Sequence, residues 1–233
     1  MYHFITKKEY FDALDVPEID EVLKTNQHFG LKHVQDACVL HHMYSLPPGQ
    51  IAEIGGGHSR TLPYFRDKGW ICCNIEPFEG AGNGPRMARI QDGIANIKTY
   101  LGEFSTLLEN NRFDVVYSIS VIEHIIDANI QLFFQDMFRI LHSGGQSWHA
   151  IDVYLEDTEV PLTGNRMHFV FQKALDAGFI PLQEEPLSAA VFRCSYATNP
   201  DLVMRQWNKS VPALKERRAH AQSVSLLLGL RRP

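Results

Sequence analysis

Long apolar runs are missing from this chain. No stretch approaches the ~20 apolar residues that a membrane-spanning helix requires, and the longest candidate, Ser223 to Leu230, has the length of a strand. The opening residues, Met-Tyr-His-Phe-Ile-Thr-Lys-Lys, lack the basic-then-apolar order of a secretory signal. Cysteine is scarce: Cys38, Cys72, Cys73 and Cys194 show no metal-ligand spacing. Cys72-Cys73 falls inside an apolar run, where small buried thiols belong. Excess positive charge is also absent. A formal net charge of −5 argues against a generic binder of phosphate backbones, which needs a basic face. These absences predict a soluble cytoplasmic protein with reduced thiols, no membrane insertion and no nucleic-acid partner.

Two nucleotide motifs are missing as well. No G-K-[ST] follows a glycine at P-loop spacing, and a dinucleotide fingerprint starting at Gly55 would need glycine where Arg60 stands. What is present is Gln50-Ile51-Ala52-Glu53-Ile54-Gly55-Gly56-Gly57-His58-Ser59-Arg60. An apolar run ends in an acid, then comes a glycine-dense turn, then residues able to open a helix. Glycine lets backbone amides crowd a ligand at positive φ, and a following helix start adds unpaired N–H groups. The pattern predicts the first nucleotide-binding corner of an α/β sheet.

Composition agrees with that class. The 233 residues, 45% apolar and 21% charged, suffice for one well-buried domain with an N-terminal extension. Residues 1–49 are rich in charge and histidine and predict a helix from about Lys32 to Ser45, broken by Pro47-Pro48-Gly49. From there strands and helices alternate. Strands are expected at Ile51–Ile54, Trp70–Ile75, Asn96–Phe104, Phe113–Ser120, Gln146–Val153, Phe179–Gln183 and Ser223–Leu230. Helices are expected at Ser59–Lys68, Asn129–His142 and Met167–Ala177. The expected fold is therefore α/β and Rossmann-like: a seven-stranded, mostly parallel sheet with helices on both faces and an antiparallel C-terminal strand. The expected division is a helical extension over 1–49, a candidate lid, and a nucleotide-binding domain over 50–233. Glu53–Ser59, Glu76, Glu103 and Ser118–His124 all fall at predicted strand ends and so converge on one crevice.

Glu76 follows Gly55 by 21 residues and, with Pro77, ends the second apolar run. An acid at that distance is placed to accept hydrogen bonds from a ribose diol. Further on stands Phe113-Asp114-Val115-Val116-Tyr117-Ser118-Ile119-Ser120-Val121-Ile122-Glu123-His124-Ile125, and later Arg139-Ile140-Leu141-His142-Ser143-Gly144-Gly145. Together with Glu53-x-Gly55-x-Gly57-x-Ser59, these segments resemble the motifs of class I S-adenosylmethionine-dependent methyltransferases, in particular the methyltransferase type 11 branch. His142 and Ser143 depart from that branch, which carries a basic residue and proline in this helix-ending turn. The likeness runs motif by motif over residues 50–152 and in element order to 233.

The resemblance implies S-adenosyl-L-methionine as cofactor and S-adenosylhomocysteine as product. It implies cofactor contacts from Glu53, Gly55, Gly56, Gly57, Ser59, Glu76, Pro77, Ser118, Ile119 and Ser120. It also implies adenine contacts from Glu103, which replaces a commoner Asp, and Phe104. The acceptor is expected to be a small molecule, such as a hydroxyl of a saccharide or specialised metabolite. A hydroxyl benefits from a base within hydrogen-bond reach. His124, His149, Asp152 and His168 are candidates, with His124 and Asp152 preferred. His149 and Asp152 lie three apart on a strand and face opposite ways, so only one can line the crevice. One acid near the fifth strand does not make a hard-cation site, so metal-independent chemistry is expected. A homodimer is compatible with the sequence. Other readings are a methyltransferase-like scaffold without turnover and, opposed by Arg60 and Val121–His124, a nucleotide-dependent oxidoreductase. The glycine-dense loop Phe78–Pro85 is a candidate wrap for the cofactor, and the basic run Lys215-Arg217-Arg218 reads as a solvated helix face.

Overall fold

The computed structural model describes residues 1–25, 30–80, 85–155, 165–183 and 222–233. Cys194, Lys215-Arg217-Arg218 and the centre of the Phe78–Pro85 loop lie outside the described residues. In chain order the elements are β1 (Tyr2–Phe4), α1 (Lys7–Leu14), α2 (Pro17–Thr25), α3 (Leu31–Met43), β2 (Gln50–Ile54), α4 (Leu62–Asp67), β3 (Ile71–Ile75) and β4 (Ile94–Ile97). There follow β5 (Phe113–Ile119), a single 3-10 turn (Ile122–His124), α5 (Asp127–Ile140), β6 (Leu141–Leu155), α6 (Asn165–Asp176), β7 (Ile180–Pro181) and β8 (Gln222–Arg231).

The sheet runs β1-β8-β6-β5-β2-β3-β4, with β7 also paired to β8. Strands β2 to β6 are mutually parallel, and β8 is antiparallel to β6. Ile51 pairs with Cys72 on one side and Val115 on the other, so β2 sits centrally. Order reverses around β2: later strands are added outward from it on both sides. The loops at the carboxyl ends of β2, β3 and β5 therefore meet at one switch point.

Strand alternation divides the core in two. Val115, Tyr117, Trp148, Ala150 and Leu227 face one side, where α1, α2, α3 and α4 cover them. Val116, Ile151, Val153, Leu226 and Leu228 face the other, beneath α5 and α6. The N-terminal segment is thus half of the packing. Thr6 and Glu9 form a capping box that starts α1. In α3, residues Val34 through Leu40 are all buried, because α1 and α2 pack on its outer side.

Several expected boundaries move. The sheet has one strand more than the seven expected, since Tyr2–Phe4 pairs antiparallel with Leu226–Leu228. The helix expected from Ser59 begins at Leu62, after a turn built by Ser59. β6 starts at Leu141, because the Gly144-Gly145 turn is absorbed as an irregularity in the register with β5 and is bonded to Arg232. The third of the expected strands ends at Ile97 instead of Phe104. Gly102 and Phe104 both sit at positive φ, and their amides donate to Oδ2 of buried Asp136 at 2.8 and 3.0 Å. A buried carboxylate that collects two amides makes this segment a turn.

Candidate functional site

The glycine turn is shaped by what lies beneath it. Gly55 and Gly57 have φ of +67° and +58°, a region costly for residues with a Cβ. At Gly56 an added Cβ would come within 2.8 Å of both Glu53 and Asn74. Glu53 is 4% exposed and points under the turn, bonded by the Ser59 hydroxyl and by the Tyr117 hydroxyl at 3.1 Å. Burial pushes its carboxyl up, partly offset by the Ser59 bond. Ser59 Oγ also accepts from the Leu62 amide at 2.9 Å, so this one hydroxyl closes the turn and opens the helix. The Ser59 backbone is gripped in turn by Gln91, whose side-chain amide accepts from its N–H at 3.1 Å and donates to its carbonyl at 3.0 Å.

Glu76 lies at the carboxyl end of β3, opposite the turn. It accepts long hydrogen bonds from the amides of Gly57 (3.3 Å) and Phe78 (3.4 Å). Burial raises its pKa, and those two amides partly oppose the rise. Four lone-pair positions on a carboxylate leave room for further donors. Asn74, directly before Ile75, donates to the Gly57 carbonyl at 2.9 Å and keeps a buried Oδ1 without a partner. Pro77 is half-buried beside Glu76. Glu103 and Phe104 lie in the turn beyond β4 and are exposed, Phe104 at 43%.

The second half of the crevice stands at the ends of β5 and β6. Ser118 is fully buried, and its hydroxyl meets His149 Nδ1 at 2.8 Å on the α5 side of the sheet, away from the crevice. Burial drives the His149 pKa down to about 3, which leaves a neutral ring among Phe133 and Phe134. Ile119 is buried toward α3. Ser120 departs from strand geometry at φ +55°, a strained region that costs about 1–2 kcal/mol in a non-glycine residue. Its single hydroxyl proton is shared between Gln35 Oε1 (2.9 Å) and Asp152 Oδ1 (3.1 Å). Gln35 Nε2 reaches the same Asp152 oxygen at 2.5 Å and Ser225 Oγ at 3.0 Å.

Beside this group stands Glu123, both of whose carboxyl oxygens are buried and without a side-chain hydrogen-bond partner among the described residues. Burial raises its pKa well above the usual carboxylate range, and the Asp152 charge adds to the rise. His124 is exposed, and partial burial of its ring lowers its pKa despite the nearby Asp152 charge. It is therefore unprotonated at neutral pH and able to accept a proton.

The structure brings Gly55–Gly57, Ser59, Glu76, Ser120 and Asp152 to the carboxyl edge of one sheet. Glu53 and Ser118 support that edge from within. Sequence reasoning missed Gln35, Asp36, Asn74 and Gln91. Gln35-Asp36 did leave a signal, as two polar residues inside the otherwise apolar stretch Val34–Leu40 of a helix. Among the described residues no group of three His, Cys, Asp or Glu side chains could hold a metal ion, and no helix is long and apolar enough to cross a membrane.

Residues 52–148 match the family model described as a methyltransferase domain. A search among curated proteins finds no match. Among solved structures the chain is similar to phosphoethanolamine N-methyltransferase 2 of Haemonchus contortus, in complex with phosphomonomethylethanolamine and S-adenosylhomocysteine, at 13% identity and TM-score 0.60. That match covers 97% of this chain but 58% of the other, so this chain spans well under two thirds of that protein's length. It is similar along nearly its whole length to the [4+2]-cyclase SpnF, at 14% identity, TM-score 0.57 and coverage of 97% and 96%. A third likeness is geranyl diphosphate C-methyltransferase of Streptomyces coelicolor A3(2), at 15% identity, TM-score 0.53 and coverage of 99% and 90%. At such identities the neighbours establish the fold. Residues 52–148 are similar to a methyltransferase domain, and that segment forms the centre of the shared fold.

Proposed function

We propose that the protein transfers the methyl group of S-adenosylmethionine to a small-molecule acceptor, a hydroxyl of a saccharide or specialised metabolite, and releases S-adenosylhomocysteine. The observation that carries this reading is the convergence of the glycine turn, Glu76 and Asp152 on one sheet edge. The residues fit the cofactor chemically. Glu76 offers carboxylate lone pairs to a diol, the Gly55–Gly57 backbone admits close approach, and Phe104 offers an apolar face to a base. When bound, the cofactor supplies a sulfonium-activated methyl group. The chain's own part is to hold the acceptor in line, where proximity supplies much of the acceleration, and to receive the hydroxyl proton at Asp152 or His124.

One solved neighbour is described as a [4+2]-cyclase, so a shared fold does not carry methyl transfer by itself. Calorimetric titration of S-adenosylhomocysteine into wild type and Glu76→Ala tests the reading. Micromolar or tighter binding, weakened at least tenfold (about 1.4 kcal/mol) by the substitution, is expected. Absence of binding to the wild type overturns it and favours a scaffold role. Turnover in excess chelator tests metal independence.

A further inference from the structure

Gln35 lies outside the matched segment, on a helix that the domain family does not account for. It is fully buried, and all three of its polar hydrogen-bonding directions toward the sheet are used. One amide hydrogen goes to Asp152 Oδ1, the other to Ser225 Oγ on β8, and Oε1 accepts from Ser120. Ser225 is itself anchored to the Ile151 carbonyl at 3.3 Å. The amide cannot flip without pointing Oε1 at a carboxylate and its N–H groups at a donor. Gln35 is therefore a fixed donor.

Both donors to Asp152 converge on a single oxygen, Oδ1. Oδ2 carries no hydrogen bond among the described residues. We propose that Gln35 is a positioning residue for proton transfer: its N–H, with the Ser120 hydroxyl proton that Asp152 shares with Gln35 Oε1, occupies Oδ1 of Asp152, so that Oδ2 is the oxygen that takes the proton of the acceptor hydroxyl. This rests on the methyl-transfer reading given above. The step balances. The acceptor O–H bond breaks, its proton goes to Oδ2, and its electron pair forms the new O–CH3 bond as the carbon–sulfur pair returns to sulfur.

Two further observations fit. Glu123 stands next to Asp152 with both carboxyl oxygens buried and without a side-chain hydrogen-bond partner among the described residues, and burial raises its pKa well above the usual carboxylate range. The strained backbone at Ser120 is the second: it aims the Ser120 hydroxyl at Gln35 and Asp152.

The test needs no acceptor in its first arm. Infrared difference spectra of 13C-aspartate-labelled protein, wild type minus Asp152→Asn, isolate the Asp152 carboxylate. Hydrogen bonds concentrated on one oxygen make the two C–O bonds unequal and widen the gap between antisymmetric and symmetric stretches. Gln35→Met, which keeps the length of the side chain and removes its donors, is expected to narrow that gap. S-adenosylhomocysteine affinity should stay within about twofold of wild type. With an acceptor in hand, kcat should fall about tenfold while KM changes by about twofold or less. An unchanged gap in Gln35→Met overturns the proposal, as does unchanged kcat. Should Gln35→Met not fold, Ser120→Ala removes the other donor to Oδ1 and must narrow the same gap. Failure of the wild type to bind S-adenosylhomocysteine would sink the functional reading while leaving the infrared result to be judged alone.

Discussion

Arg60 grips Asp36 with two parallel charge-assisted hydrogen bonds, Nε to Oδ2 and Nη2 to Oδ1, each 2.7 Å long. Asp36 is fully buried on α3, and Arg60 directly follows Ser59 at the edge of the glycine turn. A bidentate pair of this kind fixes position as well as charge. Burial works against the guanidinium charge, and the Asp36 contact more than restores it, so the Arg60 pKa rises. Arginine at position 60 is what separates this turn from a dinucleotide fingerprint, and its role is to tie the turn to the N-terminal helices. Removing one partner of a buried pair costs about 3–5 kcal/mol. Asp36→Asn keeps the shape and should lower stability by about 3 kcal/mol in urea unfolding. It should also weaken S-adenosylhomocysteine binding, whereas Gln35→Met should not.

Gly229 on β8 lies against the Trp148 ring, where an added Cβ would come within 2.6 Å of Cζ3. Trp148 is buried and stacked on His42 of α3 at 4.6 Å between ring centroids. Gly229→Ala should therefore destabilise by about 1–3 kcal/mol through overpacking. A thermal melt that matches wild type would show that the ring can move.

His142 and Asp114 form an ion pair at the start of β6, with side chains 39% and 41% exposed. The hydrogen bond to Asp114 raises the His142 pKa, opposed by a little desolvation. Burial pushes Asp114 up, but the Gln50 amide and the His142 ring outweigh it and hold it low. For a histidine raised in the folded state, the added stability is complete below its unfolded value of about 6.5 and vanishes as pH rises through the higher folded value. For the lowered aspartate, the stability is lost as pH falls through its folded value, below about 3.9. The melting temperature of wild type should exceed that of His142→Gln most near pH 5–6. The two curves should converge in mildly alkaline buffer. Solvent exposure keeps the difference small.

His149 behaves in the opposite sense. Its folded pKa of about 3 lies below the unfolded value, so the unfolded chain binds a proton that the native state refuses. Stability should fall as pH drops below about 6.5 and go on falling toward the folded value. Urea midpoints compared at neutral and acid pH should show a smaller acid loss in His149→Gln. An equal loss would assign the acid sensitivity elsewhere.

The half of the crevice built from the glycine turn was legible as backbone geometry because its signals are local. Gly55, Gly57, Ser59 and Glu76 lie within one strand–turn–helix–strand unit, where backbone geometry restricts residue choice directly. Val121–His124 was legible for the same reason. The half around Asp152 was less so, because it is assembled from residues far apart: Gln35 meets Asp152 across 117 positions and Ser225 across 190. Sequence alternation correctly set His149 and Asp152 on opposite faces, but could not say that His149 would be sealed between two phenylalanines. The strand expected through Phe104 misled because Asp136, on a later helix, takes the amides that a strand neighbour would have taken.

The buried position of α3 has a practical consequence for shortening the chain. A version beginning at Gln50 would keep all of the segment matched to the methyltransferase domain, yet it would lose the cover that α3 gives Tyr117, Trp148, Ala150 and Leu227. That is the β5, β6 and β8 part of one side of a central sheet, and a wet apolar surface of this kind drives association between molecules. Such a fragment should aggregate on expression even though its glycine turn and Glu76 are intact. Residues 1–49 are in this sense an in-built chaperone for the sheet: a segment on which the solubility of all the rest depends.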